Sequence, residues 1–135
     1  MRFLGVDLGE SRTGLALSDP VGITCRPLDI LHEKDPDAVL VAVLETAECE
    51  GADVIVVGLP RPLSGGTNRQ LKSVEAFVEK LAARSPRLVT TWDERFTSTL
   101  ARRGKSRREH VDSVAACHML QGYLDRRSNA LPVEQ

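Results

Sequence analysis

The sequence predicts an α/β domain built on one mixed sheet, with three antiparallel strands followed by two parallel strands and helices flanking the sheet. Three observations lead there. The first 31 residues hold three short apolar segments joined by turn-forming links. Two further apolar runs, Val54 to Gly58 and Arg87 to Trp92, each follow a stretch with helical spacing of apolar residues. The chain of 135 residues has no internal repeat and no low-complexity tract, and its length suits a single domain with a real core. Residues 1–127 are read as that domain and residues 128–135 as a loose tail.

The elements follow in order. Arg2 to Leu8, Thr13 to Ser18 and Ile23 to Leu31 form a meander, turned by Gly9-Glu10-Ser11-Arg12 and Asp19-Pro20-Val21-Gly22. Asp35 offers an N-cap with Pro36 at the first helical position. Val39, Leu40, Val43, Leu44 and Ala47 then recur at helical spacing until Gly51. Val54 to Gly58 reads as a central parallel strand, followed by a loop from Leu59 to Gly66. Thr67 and Gln70 have capping-box spacing, and Leu71, Val74, Phe77, Val78 and Leu81 form the buried stripe of a second helix. The last strand ends in Asp93-Glu94-Arg95. Thr97 or Ser98 can cap a short helix ending near Gly104. From Glu109 to about Arg127 a final helix carries Val111, Val114, Ala115, Met119, Leu120 and Leu124.

Composition narrows the function. No apolar run is long enough to cross a bilayer and no leader pattern opens the chain, so a cytoplasmic protein without membrane association is expected. Cys25, Cys49 and Cys117 form no C-x-x-C pair, which suits a reducing compartment and small core residues. The net charge of −1 conceals an asymmetry. Eight acids and one lysine lie between Asp29 and Asp53, whereas Arg95, Arg102, Arg103, Lys105, Arg107 and Arg108 crowd a later stretch. That stretch is either a solvated surface or a path for a polyanion.

Acids stand at informative places. The alternation of the first strand puts Asp7 on the face of Phe3 and Gly5, with Leu4, Val6 and Leu8 on the other. A carboxylate covered there must accept backbone N–H groups, pair with a cation or bind a metal. A second strand ends in Asp93-Glu94. Asp112 opens the last helix in line with its apolar face, where it either complements the helix dipole or reaches toward Asp7 past the small Ala115 and Ala116. Carboxylates sharing one dry site require protons or cations. Oxygen donors without thiolate or paired histidine suit Mg²⁺ or Mn²⁺. Two such ions about 4 Å apart can clamp the attacking and leaving oxygens of a phosphodiester. His32, His110 and His118 have no metal-ligand spacing, and no Ser or Cys has a triad context.

Four blocks of this sequence closely resemble the YqgF/RuvX family. They are Leu4-Gly5-Val6-Asp7-Leu8-Gly9 with Arg12-Thr13-Gly14, Val57-Gly58-Leu59-Pro60, Trp92-Asp93-Glu94-Arg95-Phe96-Thr97-Ser98, and Val111-Asp112-Ser113-Val114-Ala115-Ala116; Leu120-Gln121 and Tyr123-Leu124 extend the match. The resemblance implies a ribonuclease H-like fold related to the RuvC Holliday junction resolvases, and a nuclease processing the 5′ end of pre-16S ribosomal RNA. Carried over by motif, the catalytic and metal-binding acids are Asp7, Glu94 and Asp112, with Asp93 as a less certain fourth. The loop at Ser64-Gly65-Gly66 lacks the acid that the family often has there, so it is assigned no catalytic residue. The connection before Asp112 is shorter than usual.

Chemistry suggests the remaining roles. Arg12 and Arg95 can hold a phosphate, and Arg102, Arg103, Lys105, Arg107 and Arg108 can follow a nucleic-acid backbone; each can equally be a surface ion-pair partner. Trp92 can stack on a base or complete the core. The expected partner is pre-rRNA or branched DNA, bound by a monomer or a homodimer. Three other readings share these residues. A Holliday junction resolvase would use the same acids on DNA. A non-catalytic RNA-binding module in ribosome assembly gains nothing from clustered carboxylates. Asp7 to Gly9 with Arg12-Thr13-Gly14 also resembles the first phosphate loop of actin-like ATPases and sugar kinases, which close two large domains around a nucleotide.

Overall fold

The computed structural model describes residues 1–94 and 108–130 and, within the second segment, the side chains from 114 to 128. Strands β1 (Phe3–Asp7), β2 (Arg12–Ser18), β3 (Cys25–Pro27) and β4 (Leu31–His32) precede helix α1 (Pro36–Glu50). Strand β5 (Val54–Leu59), helix α2 (Arg69–Arg84), strand β6 (Leu88–Asp93) and helix α3 (Arg108–Ala130) follow. The strands form one sheet in the order β3-β2-β1-β5-β6, with β4 also paired to β2. Pairing is antiparallel from β3 through β1 and parallel from β1 through β6, as the sequence predicts.

The third strand of the meander departs from expectation by splitting in two. Leu17 pairs with Arg26 and Ala16 with Pro27, whereas Thr13 pairs with Leu31 and Arg12 with His32. The register thus slips by one residue between the two halves. Pro27 has no N–H to extend the ladder, and the extra residue is taken up as a bulge after the Leu28 N–H donates to the Leu15 carbonyl at 2.8 Å.

Local chemistry sets the helix ends. The Asp35 carboxylate accepts from the Asp37 N–H, Pro36 begins α1, and Gly51 closes it at φ 69°. For α2 the cap is Asn68, one residue later than expected, because its Oδ1 accepts the Leu71 N–H at 2.8 Å. Helix α3 continues to Ala130, three residues into the segment read as a tail; residues 131–135 lie outside the described residues, as does the short helix expected between Thr97 and Gly104.

Alternation along the strands creates two cores. Leu4, Val6, Leu15, Leu17, Ile55 and Val57 meet Val39, Leu40, Val43 and Ala47 of α1 and Leu71, Val74, Phe77 and Leu81 of α2. On the opposite face Phe3, Ala16, Val54 and Val56 meet Ala116, Met119, Leu120 and Leu124 of α3. Val114 is exposed rather than buried, since two residues turn the helix about 200° away from Ala116. Trp92 packs partly buried in this second core, edge-on to Tyr123 with ring centroids 6.0 Å apart.

Helix α3 runs antiparallel to β1. Phe3 contacts Tyr123 at 5.6 Å between centroids and lies under the Arg127 guanidinium at 5.0 Å, whereas Gly5 faces Leu120. Moving along β1 toward Asp7 therefore means moving along α3 toward its first turns. Gly5 permits this contact, because a Cβ there would lie 2.9 Å from the Leu120 Cβ. Gly5→Ala should therefore lower the unfolding free energy by about 1–3 kcal/mol in urea titration. Unchanged stability would mean that α3 does not press on β1.

Candidate active site

Asp7 ends β1 on the α3 face and is partly buried. Glu94 follows directly after β6 and is also partly buried. Between them runs β5, so neighbouring-strand spacing puts β1 and β6 roughly 9–10 Å apart. The gap is bridged over Gly58. Val6 pairs with Val57 and Trp92 with Gly58, which brings Gly58 level with the ends of both outer strands. A Cβ at Gly58 would collide with the Glu94 carboxyl. The missing side chain is thus the space that Glu94 occupies in reaching toward Asp7.

The side chains of Glu94 and Asp7 are hydrogen-bonded to each other. Such a bond needs a proton, so the O–H of one carboxyl donates to the carboxylate of the other. Burial, the largest influence, holds the Glu94 acid above its ordinary range; the Asp7 hydrogen bond opposes that shift, and the negative charge of Asp93 adds to it.

Asp93 belongs to a different arrangement. It pairs in register with Leu59, which is buried in the α1/α2 core, so Asp93 leaves the sheet on the face opposite Asp7. There Arg61 Nε approaches its Oδ2 at 3.6 Å. The Arg61 N–H donates to the Leu59 carbonyl at 2.9 Å, and this tight turn brings the guanidinium back to the sheet edge. Gly58 and Arg61 are site features that the sequence reading did not single out. The signal for Gly58 was a glycine in the strand between two acid-ending strands.

The described residues bring together two of the three acids expected at the site. Asp112 lies in α3, two turns before Leu120 on the stripe that includes Ala116, and its side chain is outside the described residues. Among the described residues no group of three or more His, Cys, Asp or Glu is placed to hold a metal ion. Arg12 is exposed at the start of β2, paired in register with His32. Gly9 makes that turn possible, because a Cβ there would collide with the Arg12 carbonyl. Arg95, Arg102, Arg103, Lys105 and Arg107 lie outside the described residues; Arg108 begins α3, with its side chain likewise outside them. No helix among the described residues is long and apolar enough to cross a membrane.

The family RuvX, described as Holliday junction resolvase, matches residues 1–126. The chain belongs to the RuvX family. A relative from Moorella thermoacetica, provisionally named a pre-16S rRNA nuclease, is 39% identical over 134 residues, covering 93% of this chain and 96% of the relative. Among solved structures, Thermus thermophilus RuvC matches this RuvX chain with a TM-score of 0.60 at 13% identity, over 96% of this chain and 97% of RuvC. RuvC in complex with a Holliday junction substrate matches with a TM-score of 0.59 at 14% identity, over 95% and 96% of the two chains. The fold is therefore ribonuclease H-like, as the sequence resemblance implies.

The raised pKa of Glu94 has a consequence for stability. The native state holds that proton more tightly than the unfolded chain, so stability falls as pH rises from the ordinary glutamate value of 4.5 through the raised one. Below both values the acid is protonated in either state and the penalty vanishes. In EDTA, Glu94→Gln should melt above the parent at pH 7, and the gap should close near pH 4. A variant that melts below the parent at pH 7 would show that Glu94 is held by a stabilising partner instead.

Proposed function

We propose that this RuvX protein is a metal-dependent endonuclease that hydrolyses phosphodiester bonds of structured nucleic acid, processing the 5′ end of pre-16S rRNA. The hydrogen-bonded Asp7 and Glu94 carboxyls at the ends of parallel strands carry this reading. The name given to the Moorella thermoacetica relative supports the RNA substrate.

The donor set fits a hard divalent cation. Asp7 and Glu94 offer only oxygen, and burial together with the charge of Asp93 raises the Glu94 pKa, so the site is short of positive charge. With Asp112 as the third carboxylate, these residues would hold Mg²⁺ or Mn²⁺. When bound, a pair of such ions supplies charge neutralisation and an activated water for in-line displacement at phosphorus. The chain does the rest. Gly58 leaves Glu94 room to turn its carboxyl toward Asp7. Both acids stay partly exposed, so a phosphate can approach from the open end of the sheet. Arg12 and Arg95 are assigned to the scissile or a neighbouring phosphate, and Arg102, Arg103, Lys105, Arg107 and Arg108 to the backbone beyond it.

A second substrate is favoured by the family description, that of a Holliday junction resolvase. Cleavage of labelled precursor rRNA, linear DNA and four-way junctions, each with Mg²⁺ or Mn²⁺, separates the two. Cut RNA near the 5′ end of the 16S sequence is expected, with Asp7→Asn at least about 100-fold slower. Paired cuts in the junction alone would assign the enzyme to DNA. Activity that survives exhaustive EDTA treatment would overturn the metal mechanism.

A further inference from the structure

Cys25 in β3 and Cys117 in α3 are 92 residues apart in sequence, yet their Sγ atoms stand 3.3 Å apart. Neither is the fully buried core residue expected from the sequence; both are partly buried, and Cys49 is exposed. The Cys25 thiol is 3.3 Å from the Cys117 carbonyl and 3.6 Å from Gln121 Oε1, while Gln121 Nε2 donates to the Ile23 carbonyl at 2.8 Å. Side chain and backbone therefore already hold this stretch of α3 against the β3 edge. A disulfide needs an S–S distance of about 2.05 Å, so closure of roughly 1.3 Å suffices, within reach of small side-chain rotations.

We propose that Cys25 and Cys117 are a redox-active dithiol that closes to an intramolecular disulfide and clamps α3 to the sheet edge. Small-molecule disulfides such as glutathione disulfide are the oxidant class. The Cys117 thiolate attacks one sulfur of the oxidant, forming a mixed disulfide and releasing one glutathione thiolate, which takes up a proton. Cys25 then gives up its proton, attacks the Cys117 sulfur and expels the second glutathione. Two protein thiols lose two electrons and two protons, and one oxidant disulfide becomes two thiols. The order follows from the pair's own chemistry. The hydrogen bond from Cys25 draws the Cys117 thiol down to about 7, while that bond, burial and the charges of Asp125 and Asp19 push Cys25 up. The inference rests on this geometry and is independent of the nuclease reading.

The test uses the full chain carrying Cys49→Ser, equilibrated in glutathione buffers and mapped by mass spectrometry of unreduced peptides. A monomer with Cys25 joined to Cys117, two hydrogens lighter and melting about 10 °C higher, is expected, with both changes reversed by dithiothreitol. Adding Cys25→Ser or Cys117→Ser should stop the reaction at a single glutathione adduct with no rise in melting temperature. The parent comparison with and without dithiothreitol decides the matter even if those variants fold poorly. Glutathione adducts on Cys25 or Cys117 without the cross-link would overturn the proposal. So would a cross-link that lowers the melting temperature, because the bond would then form only by distorting the fold.

Discussion

The hydrogen bond between Asp7 and Glu94 reflects a constraint that the surrounding structure obeys: two acids brought together in a partly buried place cannot both ionise without a compensating positive charge. Each nearby element serves that meeting. Strand β1 carries Asp7 to the end of the sheet, β6 carries Glu94 to the same level, and β5 lies between them as the barrier to be crossed. Gly58 removes the barrier, because any side chain at that position would occupy the volume of the Glu94 carboxyl.

The opposing layer is subject to the same geometry. Phe3, Ala16, Val54 and Val56 supply an apolar floor for α3, and Gly5 lets the helix settle within contact of β1. Because α3 runs antiparallel to β1, burial at Leu120 and Leu124 points its first turns toward the acid-bearing ends of the strands. Asp93, one residue before Glu94, leaves the sheet on the other face. Strand alternation turns it toward Arg61, so adjacent acids are separated into one that faces a cation and one that faces Asp7.

Much of this was legible in the sequence wherever a signal was local. Asp35, Pro36 and Gly51 bounded α1, and the alternation of Phe3, Gly5 and Asp7 against Leu4 and Val6 sorted β1 into its two faces before any partner was known. Features that depend on register were not legible. The role of Gly58 follows from its alignment with Trp92 across β5 and β6, and the break in the third strand follows from how Pro27 meets Ala16. The contact between Cys25 and Cys117 joins residues 92 apart, for which no local pattern exists. At α2 two adjacent cap-forming residues, Thr67 and Asn68, competed, and the side-chain bond to Leu71 selected the second.

If the proposed cation binds between Asp7 and Glu94, it should displace whatever proton the raised Glu94 pKa retains there. Calorimetric titration of the metal-free protein with Mg²⁺ near neutral pH, repeated in buffers of different ionisation enthalpy, counts the protons released on binding. Net proton release that disappears in Glu94→Gln is expected. Mg²⁺ binding without proton release, or release that is unchanged in that variant, would contradict it.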